Sequence, residues 1–296
     1  MIELRAAESD EDLEAWRSVR SAIMPNERTA SVGELRAAAE SDTLYVLAFV
    51  DGELAGSGIS TEASTGGAFT QPRVLPAHRR RGVGTALLTA LADQALACGH
   101  AEAGAQLEEP GSSAFAAQFG FSERNRQIEQ VYAVRGDEPE PDGPEGIAIV
   151  RLRGRDDLRA RLYGELVEAA LADLAIDRPI AITEQEWWSN WIPSDEWAFV
   201  ALAGDELVGM AGLLDDDDHP ERAENLLTAV RRDLRGRGIA RALKQHTLRC
   251  AADRGLAEVY TWTQTGNDPM QALNRSLGYV DRDVIVSVRA PLPLQG

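Results

Sequence analysis

The chain has 296 residues, 44% hydrophobic and 26% charged, the make-up of a globular protein with room for two domains of about 150 residues. Its 48 acidic and 30 basic residues leave a net charge of −18, which argues against nucleic acid or an anionic membrane as partner. No run reaches the ~20 apolar residues of a bilayer span, and Cys98 and Cys250 lack the partners of a disulfide framework or metal site.

Taken in order, Ile2–Ala7 reads as a β opening, followed by helical periodicity at roughly 10–24 and 31–41. The opening residues MIELRAAESDEDLEAW lack the basic-then-apolar design of a secretion signal, so the expected location is cytoplasmic. TLYVLAFVDGELAGSGIS reads as two strands turning at Asp51-Gly52. VLPAHRRRGVGTALL, Val74 to Leu88, ends a strand, turns and enters a helix. AEAGAQL is the next strand, and a short helix closes at Gly120-Phe121. GDEPEPDGPEG, residues 136–146, contains only Pro, Gly and carboxylates and reads as an extended linker. Beyond it the order returns: GIAIVRLRG as a strand, DDLRARLYGELVEAALADLA as a helix, and EWAFVALAGDELVGMAGLL as a strand pair turning near Gly204-Asp205. VRRDLRGRGIARALK, Val230 to Lys244, then repeats the strand–turn–helix corner.

The two halves keep register. Val74 matches Val230, Arg79 matches Arg235, Gly82 matches Gly238, Gly84 matches Ala240 and Gly99 matches Gly255 at one offset, with Gly120-Phe121 and Gly278-Tyr279 two residues out of step. Spacing kept over so many landmarks marks a tandem duplication. The expected division is 1–135, a linker at 136–146, and 147–296.

Each corner suits an anion. The first turn of a helix leaves N–H groups without internal partners, and the helix dipole favours negative charge there. Glycine admits backbone conformations that a side chain forbids, and arginines add charge-assisted bonds. The pattern is neither a Walker loop nor the G-x-G-x-x-G fingerprint. The candidates are Val74, Leu75, Arg79, Arg80, Arg81, Gly82, Val83, Gly84 and Thr85 in the first half. In the second they are Ala229, Val230, Arg231, Arg235, Gly236, Arg237, Gly238, Ile239, Ala240 and Arg241.

With these flanks the chain resembles the GNAT superfamily of acetyltransferases, in a tandem arrangement similar to mycothiol synthase and related actinobacterial proteins. The resemblance spans the chain and is sharpest in LTAVRRDLRGRGIARALK and TWTQTGNDPMQALNRSLGY. It implies an α/β fold of two tandem domains, each a central mixed, splayed sheet flanked by helices. It also implies acetyl-CoA as cosubstrate, held where the fourth and fifth strands part. The fourth strands would end at Val74 and Val230, and the fifth would be AEAGAQL and EVYTWTQT. A backbone N–H near Val230 would stabilise the oxyanion. Asn267 stands where the family contacts the pantetheine arm. The first half has Glu109 there, and Pro110 would disturb the start of the following helix.

The family's acidic Tyr, four residues before G-F, is Asn274 in the second half and Ala116 in the first. Tyr279, Tyr260 or Ser276 are candidate substitutes, with Tyr279 also readable as a core aromatic. Glu224 is the candidate base, with His219 a weaker one, and alternation would put Glu224, Leu226, Thr228 and Val230 on one face; the competing reading is a solvated hairpin. Trp187, Trp188 and Trp191 read either as core or as an aromatic wall for a cationic acceptor, with Asp173, Asp177 and Asp215 to Asp218 nearby in sequence. The expected activity is N-acetylation of a small-molecule amine in the second half, by a monomer or homodimer. Acylation of a cysteinyl glycoside and a non-catalytic CoA-binding scaffold are the alternatives.

Overall fold

The computed structural model describes residues 1–25, 29–39, 42–64, 66–107, 110–173, 182–192, 195–216 and 219–295. Glu109, Asp177, Asp217 and Asp218 lie outside them.

The first repeat runs β1 (Ile2–Ala6), α1 (Asp10–Ile23), α2 (Val32–Ala37), β2 (Leu44–Val50), β3 (Glu53–Glu62), β4 (Ala68–Val74), α3 (Val83–Ala97), β5 (Glu102–Leu107), α4 (Pro110–Gln118) and β6 (Ser122–Ala133). The second runs β7 (Ala148–Arg151), α5 (Asp156–Leu162), α6 (Glu168–Ala172), α7 (Glu184–Glu186), β8 (Ala198–Ala203), β9 (Glu206–Asp215), β10 (Arg222–Asn225), β11 (Ala229–Val230), α8 (Ile239–Asp253), β12 (Glu258–Gln264), α9 (Asp268–Leu277) and β13 (Val280–Pro291). Local chemistry explains several boundaries. Ser9 and Asp12 form a capping box on α1, and Ser31 and Glu34 do the same on α2. Asp51 and Gly52 both take positive φ (53° and 86°), the turn that joins twisted antiparallel strands directly.

Two compact units result, Met1–Arg126 with Ile285–Gly296, and Gln127–Val284. In the first, the sheet order is β1-β2-β3-β4-β5, completed by the end of β13, where Val286 to Pro291 pair antiparallel with Leu107 to Glu102. In the second it is β7-β8-β9-β10-β12, completed by the end of β6, where Ala133 to Gln127 pair with Glu258 to Gln264. Each unit therefore takes its last strand from the other repeat. Within each unit only the fourth and fifth strands are parallel, β4 with β5 and β10 with β12.

Helices cover both faces of each sheet. In the first unit, Val83, Leu87 and Leu91 of α3 pack on Val46, Ala48 and Ala55, while Leu13 and Trp16 of α1 pack on Tyr45 and Leu47. In the second, Ile239 and Leu243 of α8 meet Phe199 and Val208, and Leu158 and Leu162 of α5 meet Val200, Met210 and Ala229. Successive strand residues alternate between these layers, and each fully buried Leu adds about 1.5–3 kcal/mol.

Three features differ from the sequence expectations or add to them. Pro110 does not disturb α4 but begins it, the position where a missing N–H costs nothing. The long helix of the second repeat is interrupted by a π-helical turn at Tyr163–Val167, and a second such turn spans Trp187–Trp191. Residues 136–146 carry no helix or strand, yet Glu138 is buried. It accepts hydrogen bonds from the Tyr132 hydroxyl (2.6 Å) and the Arg135 amide (3.0 Å), and Arg249 donates to its carbonyl (2.9 Å).

Candidate active site

The two corners have one backbone conformation. Arg79 and Arg235 are extended (φ −66°, ψ 156° and φ −65°, ψ 157°), and Gly82 and Gly238 sit at φ 84° and 83° immediately before α3 and α8. The residue after each first arginine also has positive φ, 61° at Arg80 and 77° at Gly236. Both helices run fifteen residues and have no side chain capping their first turn, so their leading N–H groups face outward for an anion. The first arginine closes the loop. Arg79 Nε donates to the Val74 carbonyl (3.1 Å) and Arg235 Nε to the Val230 carbonyl (2.9 Å). Arg79, Arg80, Arg81, Gly82 and Thr85, like Arg235, Gly236, Arg237 and Gly238, are exposed. His78 is buried, 3.5 Å from Arg81. Arg241 faces away from the loop to donate to Ser276 on α9 (2.6 Å).

The corners differ in what already occupies their arginines. In the second unit the Asp173 carboxylate accepts from both Arg232 and Arg235, the latter at 2.6 Å. Arg232 first, then Arg235, hold its carboxyl down to about 2. Arg231 is bound by Asp233 and Glu206, each at 2.8 Å. In the first unit the corner instead borders an open cavity of about 520 Å³, lined also by Gln71, Pro72, Gln106 and Phe115.

The strands leading into the corners differ more. β4 pairs with β3 in unbroken register from Glu62↔Ala68 to Gly56↔Val74. In the second unit Ala223, Glu224 and Asn225 oppose Asp215, Leu214 and Leu213, but Ala229 and Val230 oppose Met210 and Gly209. Three residues, 226–228, thus stand opposite two, a β-bulge. The expected sharing of a face by Glu224, Leu226, Thr228 and Val230 is therefore wrong: one extra residue reverses the alternation. Glu224 lies on the α5 side, paired with Tyr260, while Val230 packs on the α8 side with Ile239 and Leu243.

Backbone groups aim into the gap between the parting strands. The Arg231 amide donates to the Val208 carbonyl (2.9 Å). Bonded and non-bonded pairs alternate in an antiparallel ladder, so Val230 turns its N–H away from β9 and toward the gap. The Leu75 amide, bonded to Ala55 (2.9 Å), puts Val74 in the same position. Two residues earlier the first unit has Pro72, which has no N–H, and the second has Thr228. The Gln71 side chain also ties the first gap shut, donating to the Gln106 carbonyl and accepting from its amide, both at 2.8 Å. In the second unit Thr228 Oγ1 and Gln264 Oε1, at the corresponding ends of the gap, are buried without hydrogen-bond partners. Buried polar atoms are rarely left so, and a ligand with amide and carbonyl groups satisfies them.

The other candidates separate by face. Asn274 is buried on the α9 side, donating to Gln130 (2.8 Å) and Thr263 (3.2 Å) with its Oδ1 unpartnered. Tyr279 is a core aromatic, 5.4 Å from the Tyr132 ring, and burial raises its pKa far above the usual tyrosine value. Both stand on the face opposite Glu224. Asn267 lies between β12 and α9, accepting from the Met270 and Gln271 amides through its carbonyl (both 3.1 Å). His219 is 3.7 Å from Glu221 at the start of β10.

Of the three tryptophans, Trp187 is wholly buried in the apolar cluster of α5, so it fills core and presents no surface. Trp191, half-buried, stacks on it at 5.5 Å, and Trp188, half-buried, carries the Arg159 guanidinium 3.9 Å above its ring. The sequence missed Lys244, an α8 residue 1% exposed, whose Nζ donates to Asn225 Oδ1 (2.6 Å). Burial pushes its ammonium down to about 7. A lysine amid the apolar periodicity of α8 was the available signal.

Residues 9–121 and 161–279 both match the Acetyltransferase (GNAT) family. The chain is 30% identical over 233 residues to a mycothiol acetyltransferase of Saccharomonospora viridis, covering 71% of each chain. It is 28% identical over 302 residues to one from Nocardia farcinica, covering 96% of this chain and 94% of that one. Among solved structures, a GCN5-related N-acetyltransferase from Sphaerobacter thermophilus superposes with a TM-score of 0.78 at 22% identity, covering 98% and 95% of the two chains. A tandem GNAT protein from the clavulanic acid biosynthesis pathway gives 0.73 at 20% identity, covering 98% of both.

Proposed function

This chain belongs to the GNAT acetyltransferase family and is an acyltransferase, and from that premise we propose that it transfers the acetyl group of acetyl-CoA to the amine of a small molecule, with the chemistry in the second unit. The bulge at 226–228 carries this reading. It sets the Val230 N–H toward the gap while leaving Glu224 on the acceptor side of the same strand. Bound acetyl-CoA supplies a thioester carbonyl for the amine to attack. Arg237 and the first turn of α8 would hold its pyrophosphate, and Asn267, Thr228 and Gln264 its pantetheine arm. The Val230 amide donates to the carbonyl oxygen as negative charge develops there. Glu224 takes the proton that the ammonium must lose. Asn274, where a general acid would stand, has no acidic proton to give, and a thiolate of ordinary pKa, about 8.5, leaves without one.

The first unit keeps its corner and its cavity, which supports cofactor binding. Pro72 and the Gln71–Gln106 bridge remove the backbone donors that chemistry would need. Trp188 and Trp191, on the Glu224 side, suit an acceptor with an apolar body. The relatives named mycothiol acetyltransferase favour one specific acceptor class, a cysteinyl glycoside.

The test is release of free thiol from acetyl-CoA with a panel of small amines that includes a cysteinyl glycoside, together with calorimetric binding of acetyl-CoA. Gly238→Glu, which places a carboxylate and a strained φ in the second corner, is expected to abolish turnover. Gly82→Glu is expected to remove a binding site from the first unit. Loss of turnover only in Gly82→Glu would sink the assignment to the second unit, and no thiol release with any amine would sink the acetyltransfer itself.

A further inference from the structure

We propose that Lys244 is a positioning residue of the acyl-transfer site, acting through Asn225 to hold the extra residue of the second repeat at 226–228. The inference rests on the second unit being the catalytic one.

The second repeat has three more residues than the first between its hairpin turn and its corner, Asp205 to Val230 against Gly52 to Val74. The registers place one of these inside the strand, between Asn225 and Ala229. An extra strand residue has no inherent place. Register is held only by what pins the flanking residues, and a slip of one position sends every side chain in between to the other face. Had the slip lain one pair earlier, Glu224 would have pointed into α8.

Asn225 is the pin. It is 1% exposed and held from three directions. Its Nδ2 donates to the Gly212 carbonyl on β9 (3.0 Å), its own carbonyl accepts from Thr261 Oγ1 on β12 (2.8 Å), and its Oδ1 accepts from Lys244 Nζ on α8 (2.6 Å). Gly212 also takes the Leu226 amide (3.2 Å), the last rung before the slip. The Lys244 bond fixes which end of the Asn225 amide faces the helix and so directs Nδ2 at β9. A buried lysine is costly unless its polar head is satisfied. Besides Asn225, the head has only the Tyr279 ring nearby, with Nζ 5.1 Å from its centre. The first repeat places Leu88 and Thr70 at the equivalent positions, and its β4 ladder runs without a slip.

The test uses the full chain, unaltered, as Lys244→Met, and as Lys244→Leu combined with Asn225→Thr, which copies the first repeat. Readouts are kcat and KM for acetyl-CoA with an accepted amine, thermal unfolding, and backbone hydrogen exchange at 226–230. The double variant is expected to fold, to keep KM within about threefold because the corner is untouched, and to lose kcat by about 10²-fold, the scale of an ångström's misplacement. Its amide exchange at 226–230 should change. If it fails to fold, Lys244→Met is read by the same criteria below its melting temperature. Unaltered kcat in a folded variant overturns the proposal, as does a fall in kcat matched by the unfolded fraction. No turnover by the unaltered chain would sink the acetyltransferase reading instead. Exchange at 226–230 would still report on Lys244, and no change there would overturn its role.

Discussion

The two corners of this protein share a backbone to within a few degrees at their first arginines and final glycines, while the strands that feed them have diverged. One strand is straight, carries Pro72, and is bridged to its neighbour by Gln71. The other carries an additional residue and a buried pin. The conserved conformation belongs to the part that grips a phosphate, where helix geometry does most of the work. The divergence falls where chemistry requires an oriented donor and a base. Binding and turnover therefore separate along a few residues of a single strand.

Replacing the base tests that separation most strongly. Glu224→Gln is expected to lower kcat by about 10²-fold or more, the usual contribution of a positioned base. A steady-state pH profile should also lose its acidic limb, and retention of that limb would assign the proton transfer elsewhere. A smaller effect is expected from Thr228→Pro, which gives the second strand the first strand's proline. It should cost kcat about tenfold while leaving the corner's affinity nearly unchanged. Single-turnover rates alongside acetyl-CoA titrations would check this, and an equal loss of affinity would mean that Thr228 serves binding alone. The smallest is Asp173→Asn. Its carboxylate, held down to about 2 by Arg232 and then Arg235, stays charged at every ordinary assay pH and competes with an incoming pyrophosphate. Removing that charge should tighten acetyl-CoA binding to the second unit severalfold at low salt, with the gain fading as salt rises. Weaker binding would show that Asp173 shapes the corner instead of obstructing it.

The sequence made the duplication and both corners legible, because Arg, Gly and helix periodicity carry that geometry locally. The bulge was not, since alternation read along Glu224 to Val230 assumes an uninterrupted ladder and only the unequal spacing of the two repeats hints otherwise. Tyr279 and Trp187 look alike as core or site residues until the layers are known, for their burial depends on partners such as Tyr132 and Met210 that are distant in sequence. Glu138 was hidden for the same reason: a carboxylate in an acidic, proline-rich stretch gives no local sign that Tyr132 and Arg249 hold it.

The exchange of final strands bears on how such a chain is made and kept. The first unit's β5 has its neighbour only once residues 286–291 exist, so on the ribosome that edge waits for almost the whole of the second repeat to be translated. A gene shortened to its first repeat would encode an unfinished sheet, not a smaller enzyme, and so would one reduced to its second. Whatever catalytic duties a duplicate sheds, it cannot then be deleted, and its cleft is left free to drift toward other ligands while the strand it lends keeps it in the genome.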